Sequence, residues 1–232
     1  EMDEDIIPPE MLEAVEKLSR EEYKVEEMIP ETMLDLDQIV NFIEETKKFE
    51  PQHADKLKKL IRLLKSKDLK DQKVIIFTEF ADTARYLKNQ LDQVEINGLE
   101  QVDSASTTNR AEVLKRFSPY YNGSTSDELK RQNIKEIQVL ISTDVLSEGL
   151  NLQDACRMIN YDIHWNPVRL MQRIGSVDRR FNPKDEKKIV QDHPDTAPQR
   201  GKITFWNFLP PDELNAILSL YKKVSHKTLM IS

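Results

Sequence analysis

Apolar side chains recur at two different spacings along the chain, and the spacing changes near residue 73. Before that point they return every three or four residues, which is typical of amphipathic helices. Their positions are Met11, Leu12, Val15 and Leu18, then Leu36, Ile39, Val40 and Ile43, and finally Leu57, Leu60, Ile61 and Leu64. Pro30 and Pro51 interrupt the pattern, so we predict several separate helices in this part of the chain.

Beyond residue 73, short apolar runs alternate with helical patterns. Near-continuous apolar runs of this length are typical of parallel strands that helices cover on both faces, so we predict an α/β fold. Ligands of such sheets bind where the strands end at their carboxyl side. The runs are KVIIFTEF (73–80), IQVLIST (137–143), CRMINYDIHW (156–165) and KITFWNFL (202–209).

Polar stretches and prolines divide the chain into three predicted regions. Residues 1–52 form an acidic helical segment, residues 53–209 the α/β body, and residues 210–232 a C-terminal amphipathic helix that starts a longer extension. Within the body, residues 118–135 are expected to be an exposed loop with room for a short helix. Residues 181–201 form a second polar insert with three prolines.

Composition excludes several classes of protein. No apolar run approaches the roughly 20 residues of a membrane helix, and the acidic N-terminus lacks the features of a signal peptide. The single cysteine, Cys156, cannot form an internal disulfide, which favours a reducing cytoplasm. The four histidines are scattered and no Cys-x-x-Cys pair occurs, so a zinc site is not expected.

The net charge of −7 is unevenly distributed. Residues 1–50 carry 17 acidic and 5 basic side chains, whereas the remainder carries 24 acidic and 29 basic ones. The overall acidity therefore argues only weakly against nucleic acid as a partner of the α/β body.

Two common nucleotide-binding motifs are absent from the sequence. The five glycines lie about 25 residues apart, which excludes the Gly-x-Gly-x-x-Gly fingerprint of nicotinamide and flavin enzymes. The Gly201-Lys202 pair would need glycine at position 196 for a phosphate loop, and Thr196 stands there. No nucleophile elbow surrounds a serine, which disfavours a hydrolytic triad built from Ser142, His164 and Asp144.

Candidate chemistry follows two of the predicted strands. STDVLSEGLNLQDA (142–155) is either a loop whose backbone a ligand approaches closely at Gly149 or an ordinary polar turn capped by Asp144. After the next strand, NYDIHWNPVRLMQRIGSVDRR (160–180) predicts a helix on which glutamine and arginine share one face. Such a row suits phosphate, although a solvated basic face has the same pattern.

These segments, in this order and spacing, resemble the C-terminal RecA-like lobe of superfamily 2 helicases. More narrowly, they resemble the Swi2/Snf2-type branch that includes the bacterial RNA-polymerase-associated translocase. KVIIFTEFADTARYL is similar to motif IV, VLISTDVLSEGLNLQDA to motif V, and INYDIHWNPVRLMQRIGSVDRR to motif VI. The resemblance covers about residues 54–180 and implies a RecA-like three-layer sandwich with a mostly parallel central sheet.

The resemblance also implies roles at the nucleotide. Arg179 matches the arginine finger that stabilises charge on the γ-phosphate, and Gln172 matches the residue that aligns the phosphates or the attacking water. Gly149 and Asn151 are expected to approach the nucleotide's sugar or metal. Arg173 adds a candidate phosphate contact.

On the nucleic-acid side, the resemblance implies contacts from four residues. Thr143 and Glu148 are expected at the nucleic-acid backbone or in its coupling to ATP. Thr78 and Phe80, at the end of the first strand, are expected along the nucleic-acid groove.

The implied function is that of the second motor lobe of an ATP-dependent translocase acting on double-stranded DNA in the cytoplasm or nucleoid of a bacterium. ATP and Mg²⁺ would be held mainly by an N-terminal RecA-like lobe of the same protein, which carries the phosphate loop. The 232 residues alone are therefore expected neither to bind ATP tightly nor to hydrolyse it. The alternative is a non-catalytic RecA-like interaction module whose ATPase function has decayed.

Ser176 departs from the family pattern, because motif VI has arginine at this position. Three interpretations stay open: a natural variant that relies on Arg179, Arg173 or Arg180, an engineered or natural substitution that weakens hydrolysis, or a position whose arginine is chiefly structural in relatives. Residues 1–50 are expected to form an inter-lobe linker, with a regulatory element that competes with nucleic acid as the alternative.

Overall fold

Helices and short strands alternate through most of the molecule. The structure, a computed structural model, describes residues 24–48, 54–103, 109–144, 150–164, 166–179 and 181–209. The helices are α1 (Val25–Lys47), α2 (Asp55–Leu64), α3 (Ala81–Gln93), α4 (Arg110–Phe117), α5 (Ser126–Arg131), α6 (Pro167–Val177) and α7 (Pro183–Asp192). The strands are β1 (Val74–Phe77), β2 (Leu99–Val102), β3 (Val139–Ser142), β4 (Arg157–Asn160) and β5 (Thr204–Asn207).

The five strands form one sheet in the order β2-β3-β1-β4-β5, and every pairing is parallel. The four residues of the central strand β1 are apolar and buried, as are the valine, leucine and isoleucine of β3. Such strands read as unbroken apolar runs because both of their faces are covered. The predicted α/β fold with a parallel sheet is confirmed.

Two apolar clusters lie on opposite faces of the sheet. On one face, α2 and α3 contribute Leu57, Leu60, Leu87 and Leu91, which pack with alternate strand residues such as Ile76. On the other face, Val113 and Phe117 of α4 and Val177 of α6 pack with Ile75, Phe77, Leu140 and Met158. The structure therefore has the three layers that the sequence resemblance implied.

Strand β2 was not predicted from the sequence. Its sequence LEQV lies at one edge of the sheet and is mostly half-buried, so it contains no continuous apolar run. Gly98, which precedes it, has φ +62° and accepts a hydrogen bond from the backbone N–H of Gln138. A Cβ at Gly98 would lie 3.0 Å from that nitrogen, so the close approach of β2 to β3 requires glycine.

The two polar segments are more ordered than a loop prediction implies. In 118–135, a 3₁₀ turn (Tyr120–Asn122) and α5 place Ser118, Tyr120 and Ser126 in buried positions, so the expectation of an exposed loop was wrong there. In 181–201, Asn182 caps α7 through the N–H of Lys184, and Pro183 occupies the first turn.

Helix α1 belongs to one compact unit of the chain, and the residues from Ala54 onward belong to another. The helical pattern from Met11 to Leu18 and the C-terminal helix predicted within 210–232 lie outside the described residues. Helix α1 continues through Pro30, so the interruption predicted there was wrong. Within the described ranges, no helix is long and apolar enough to span a bilayer.

Candidate nucleotide and nucleic-acid site

The carboxyl ends of the strands gather polar residues at one edge of the sheet. Thr78 directly follows β1, Thr143 and Asp144 follow β3, and Asp162 lies two residues beyond β4. Because parallel strands all end on the same side, these residues meet without any long-range loop having to bring them together. This edge is where the sequence predicted a ligand.

Arg173 of α6 is the centre of this edge. Its guanidinium is completely buried and donates through Nε to the Asp144 carboxylate at 2.6 Å. It also donates through Nη1 to the backbone oxygen of Asp162 at 2.8 Å, with a longer contact of 3.4 Å to Asn160 Oδ1. The guanidinium lies 5.5 Å from the ring centre of Phe77. Arg173 thus joins the ends of β3 and β4 to the helix that follows them.

Helix α6 is oriented by its own sequence. Asn166 caps its N-terminus by accepting the N–H of Val168, and Pro167 fits the first helical position. Its inward face carries Arg173, Ser176 and Val177, all buried. Gly175 lies toward open space, since a Cβ there would meet no atom within 4 Å.

A second set of hydrogen bonds ties neighbouring strands together along the same edge. The Thr78 hydroxyl donates to the Asp162 carboxylate, whose other oxygen receives Lys56 Nζ of α2 at 2.7 Å. Farther along, Asn160 Nδ2 donates to Asn207 Oδ1 of β5 at 2.8 Å. Asp162 and Asn160 were not predicted as site residues. Their positions just after the apolar run of β4 were the available signal.

The predicted catalytic residues lie on or just beyond α6. Gln172 is half-buried on the helix, and Arg179 is half-buried one residue past the capping residue Asp178. Ser176 is fully buried and donates to the carbonyl of Arg173 at 2.6 Å. Buried as they are, Arg173 and Ser176 could reach a nucleotide only if α6 shifted.

The remaining predicted contacts are distributed unevenly. Phe80 is 60% exposed at the end of β1, whereas Thr78 is fully buried and offers no side-chain atom to a ligand. Asn151 donates to the backbone oxygen of Tyr121 at 3.3 Å, and no hydrogen bond links it to the residues around Arg173. Glu148 and Gly149 lie outside the described residues.

Two buried polar atoms at this edge have no hydrogen-bond partner in the part of the chain that the structure describes. They are Thr143 Oγ1 and Arg173 Nη2. Buried donors without partners are rare in folded proteins, so they mark places where a ligand or water completes the bonding. No group of three or more acidic, histidine or cysteine side chains suited to a metal occurs among the described residues.

The opposite edge of the sheet holds a second polar cluster, which sequence reasoning missed. Asp154 is buried and accepts hydrogen bonds from Ser118 Oγ and from the N–H groups of Tyr120 and Tyr121. Burial raises the pKa of this carboxyl, although Lys73 and the three hydrogen bonds act in the other direction. Asp154 thereby fixes the 118–122 turn to the segment that leads into β4.

Arg200 holds the second polar insert against the same segment. Its guanidinium pairs with Glu186 of α7 and donates to the backbone oxygens of Gln153 and Asp154 at 2.7 and 2.8 Å. Burial also raises the pKa of the neighbouring Cys156 thiol, with the positive charge of Arg200 opposing that rise. A cavity of about 750 Å³ lies at this edge, with Asp154, Cys156 and Arg200 in its lining; Arg173 is not part of that lining.

Several known proteins are similar to this chain in sequence. The sequence model of the helicase conserved C-terminal domain matches residues 55–180. The chain is 38% identical over 130 residues to the uncharacterised ATP-dependent helicase YqhH of Bacillus subtilis, covering 53% of this chain and 20% of that protein. It is 31% identical over 113 residues to the RNA polymerase-associated protein RapA of Sodalis glossinidius, covering 48% and 10% respectively.

A solved structure shares the fold. The C-terminal part of the Fun30 ATPase domain superposes with a TM-score of 0.53 at 18% identity, over 85% of this chain and 58% of that one. The chain spans a fifth or less of the length of the two relatives described above. With more than half of its residues matched by the family's sequence model, the chain belongs to the helicase conserved C-terminal domain family.

Proposed function

We propose that the chain is the second motor lobe of an ATP-dependent nucleic-acid translocase of the Swi2/Snf2 type. The observation that carries the proposal is the buried ion pair between Arg173 and Asp144, which joins the motif VI helix to the end of the motif V strand at the ligand-binding edge of the sheet. The names of two relatives, an ATP-dependent helicase and an RNA polymerase-associated protein, favour the same function.

In this proposal Arg179 acts as the arginine finger. It follows α6 directly, so the anchored helix determines where its guanidinium can reach. Phosphoryl transfer requires positioning and charge stabilisation more than covalent chemistry, and an arginine from a second lobe supplies both when the lobes close. ATP and Mg²⁺ would be bound mainly by an N-terminal RecA-like lobe that carries the phosphate loop. Gln172 would align the phosphates or water from the same helix.

Arg173 is assigned here as a positioning residue. Its buried guanidinium holds α6 against the strand ends through Asp144 and the backbone oxygen of Asp162. Ser176 lies on the buried face of α6, and its hydroxyl donates to the backbone oxygen of Arg173 one turn earlier. It therefore supports the backbone at Arg173.

Nucleic acid would contact the same edge beside the nucleotide. Phe80 projects from the end of β1 with 60% of its surface exposed, and an exposed aromatic ring can stack on or pack against a nucleotide. Glu148 and Thr143 would adjust that contact to the ATP state. We propose double-stranded DNA as the track, read through its phosphates without sequence preference.

The main test is ATP hydrolysis with and without nucleic acid. The 232-residue chain is expected to show no turnover above background, whereas a polypeptide carrying both RecA-like lobes hydrolyses ATP and accelerates on duplex DNA. Steady-state phosphate release measures both. Robust turnover by the chain alone, or an inactive two-lobe protein, would contradict the proposal.

Gly175 provides a test that separates stability from function. Alanine favours helices by about 0.8–1 kcal/mol over glycine, and a Cβ at Gly175 meets no neighbour. Gly175→Ala is therefore expected to raise the free energy of unfolding of the chain by about 0.5–1 kcal/mol in urea titrations. If α6 faces the nucleotide, the same change lowers the stimulated ATPase of the two-lobe protein. Greater stability with unchanged turnover would show that no ligand approaches Gly175.

Ser176 favours a second candidate, a non-catalytic RecA-like module, because it lacks the guanidinium that motif VI carries there. Ser176→Arg in the two-lobe protein distinguishes the candidates when turnover is measured per folded molecule. A variant that gains ATPase over an inactive parent would favour the decayed module. An active parent that the variant does not improve favours the translocase, with Arg179 as its finger.

A further inference from the structure

Helix α2 has a basic outer face. Its inner face buries three leucines against the sheet, at positions 57, 60 and 64. The cations on the exposed side are separated by one, three and three residues, which places them together on one side of the helix. This basic face consists of Lys58, Lys59, Arg62 and Lys65, and the last of these is the C-terminal capping residue.

The charge of this segment contrasts with that of the whole chain. Residues 55–73 carry eight basic and three acidic side chains, whereas the chain has a net charge of −7. Lys58 has a carboxylate partner, Asp55, at 3.4 Å. The side chains of the other three members of the basic face make no hydrogen bond or ion pair with any residue that the structure describes. On α3, by contrast, Arg85 and Lys88 each pair with an aspartate of their own helix.

The basic face is unfavourable for the helix that carries it. Like charges three or four residues apart destabilise a helix, and Arg62 lies at that spacing from each of the other three members. Lys58 also lies in the first turn, where the positive end of the helix dipole disfavours a cation. A polyanion bound along the face would relieve both effects.

The basic face begins at the edge where the strands of the sheet end. Near the N-terminus of α2, Lys56 Nζ donates to the Asp162 carboxylate, just beyond β4, at 2.7 Å. Near its C-terminus, Leu64 and Lys65 line the cavity at the opposite edge. Helix α2 therefore crosses the lobe from the edge where Phe80 is exposed, and its basic face continues from the proposed nucleic-acid contact.

The length of the basic face suits a phosphate backbone. From Lys58 to Lys65 the helix rises by about 10 Å. One strand of duplex DNA presents a phosphate about every 3.4 Å along the helix axis, so the face extends over about three phosphates. Lysine and arginine contacts of this kind fix the position of the duplex without reading its sequence.

We propose that the basic face of α2 binds the phosphate backbone of duplex DNA, as a second contact beside Phe80. The inference rests on the proposed function, because that function brings nucleic acid to the adjacent edge. Each phosphate that a cation neutralises releases counterions, so the affinity falls more steeply with salt as the number of contacts rises. The salt dependence of binding therefore reports how many phosphates the face contacts.

Fluorescence anisotropy of a labelled duplex tests the proposal, with a polypeptide that carries both RecA-like lobes and salt between about 50 and 200 mM. Lys59→Ala/Arg62→Ala removes two cations of the basic face. A plot of the logarithm of the association constant against that of the salt concentration should become shallower by about 1–2, because each phosphate contact contributes about 0.9 to the slope. The change should be the same on A·T-rich and G·C-rich duplexes.

Two matched variants separate the basic face from charge in general. Lys187→Ala/Lys188→Ala removes the same charge from exposed positions of α7, which borders the cavity at the other edge, and should leave the slope unchanged. Lys59→Arg/Arg62→Lys keeps the charge of the face and should bind as the parent does.

An unchanged slope for the α2 alanine pair, as expected of a face that is only solvated or that binds an acidic protein, overturns the proposal. An equal change for the α7 pair also overturns it. In both cases a parent that hydrolyses ATP on duplex DNA leaves the proposed function intact, whereas a parent that binds no duplex DNA at about 50 mM salt overturns both. The failure of this inference is therefore distinguishable from that of the proposed function.

Discussion

Replacing Arg179 with alanine in a polypeptide that carries both RecA-like lobes is expected to lower its DNA-stimulated kcat by about 10³–10⁵-fold, the range measured for arginine fingers. Arg179 is half-buried and lies two residues beyond the end of α6, the helix that Arg173 anchors to Asp144. Its loss would remove charge stabilisation that develops only in the transition state, so kcat falls while the affinity for DNA is nearly unchanged. Steady-state kinetics with saturating DNA measures this.

Arg131→Ala is the matched control for this substitution. Arg131 is an exposed arginine at the end of α5, and its removal is expected to change kcat less than twofold. Arg179→Lys keeps the charge but not the planar fork of donors, and should recover only a small part of the rate. A loss below about tenfold for Arg179→Ala would exclude Arg179 as the finger.

Replacing Arg173 with alanine is expected to lower the free energy of unfolding of the chain by about 3 kcal/mol. Removing one partner of a buried ion pair typically costs about 3–5 kcal/mol, and the lower value applies because the Asp144 side chain keeps 20% of its surface exposed. For a protein of this size the change corresponds to a fall in Tm of roughly 6–12 °C. Urea titration and calorimetry both measure the effect.

Two further variants identify the cause of that loss. Arg62→Ala removes an exposed arginine from α2 and should change stability by less than about 0.5 kcal/mol. Asp144→Asn in the Arg173→Ala background should recover about 1 kcal/mol, because it removes the carboxylate charge that Arg173 had balanced. If Arg173→Ala unfolds at the same urea concentration as Arg62→Ala, the ion pair does not anchor α6.

The parallel sheet was predictable because its inner strands consist of apolar residues that the flanking helices cover. Residues 74–77 and 139–142 are short apolar runs that are buried on both faces, and polar residues follow each of them. Strand β2 could not be found in this way, since its Glu100 and Gln101 reach solvent at the edge of the sheet. Its pairing depends on contact with β3, which is far from it in sequence.

The placement of α6 after β4 was predictable, but the contacts of its side chains were less so. The row of Gln172, Arg173 and Ser176 on one helix was apparent from spacing, but spacing cannot tell which member of a row faces inward. Burial separates Arg173 from Arg179: Arg173 is completely buried and pairs with Asp144, which follows β3, whereas Arg179 is half-buried. That choice of partner is a tertiary property.

The polar cluster around Asp154, at the opposite edge of the sheet, was harder still to predict. Asp154 and Arg200 bind backbone groups of segments distant in sequence, and a lone aspartate or arginine in a polar stretch carries no pattern. The tyrosines beside them were equally uninformative, although Tyr121 donates to Glu186 and accepts the N–H of Asn182. The turn at 120–122, the residues that lead into β4 and the 181–201 insert are therefore held together by contacts that the spacing of apolar residues cannot predict.

The complete burial of Arg173 also affects when conformational entropy is lost. Ordering an arginine side chain costs up to about 2 kcal/mol of rotamer freedom. In this molecule that loss occurs once, as the chain folds and Arg173 reaches Asp144 and the Asp162 carbonyl. A ligand that arrives at the edge meets a helix whose rotation about its own axis is already restricted, so little of its binding energy is spent on ordering α6. Preorganisation of α6 is thus a property of the folded lobe before any partner binds.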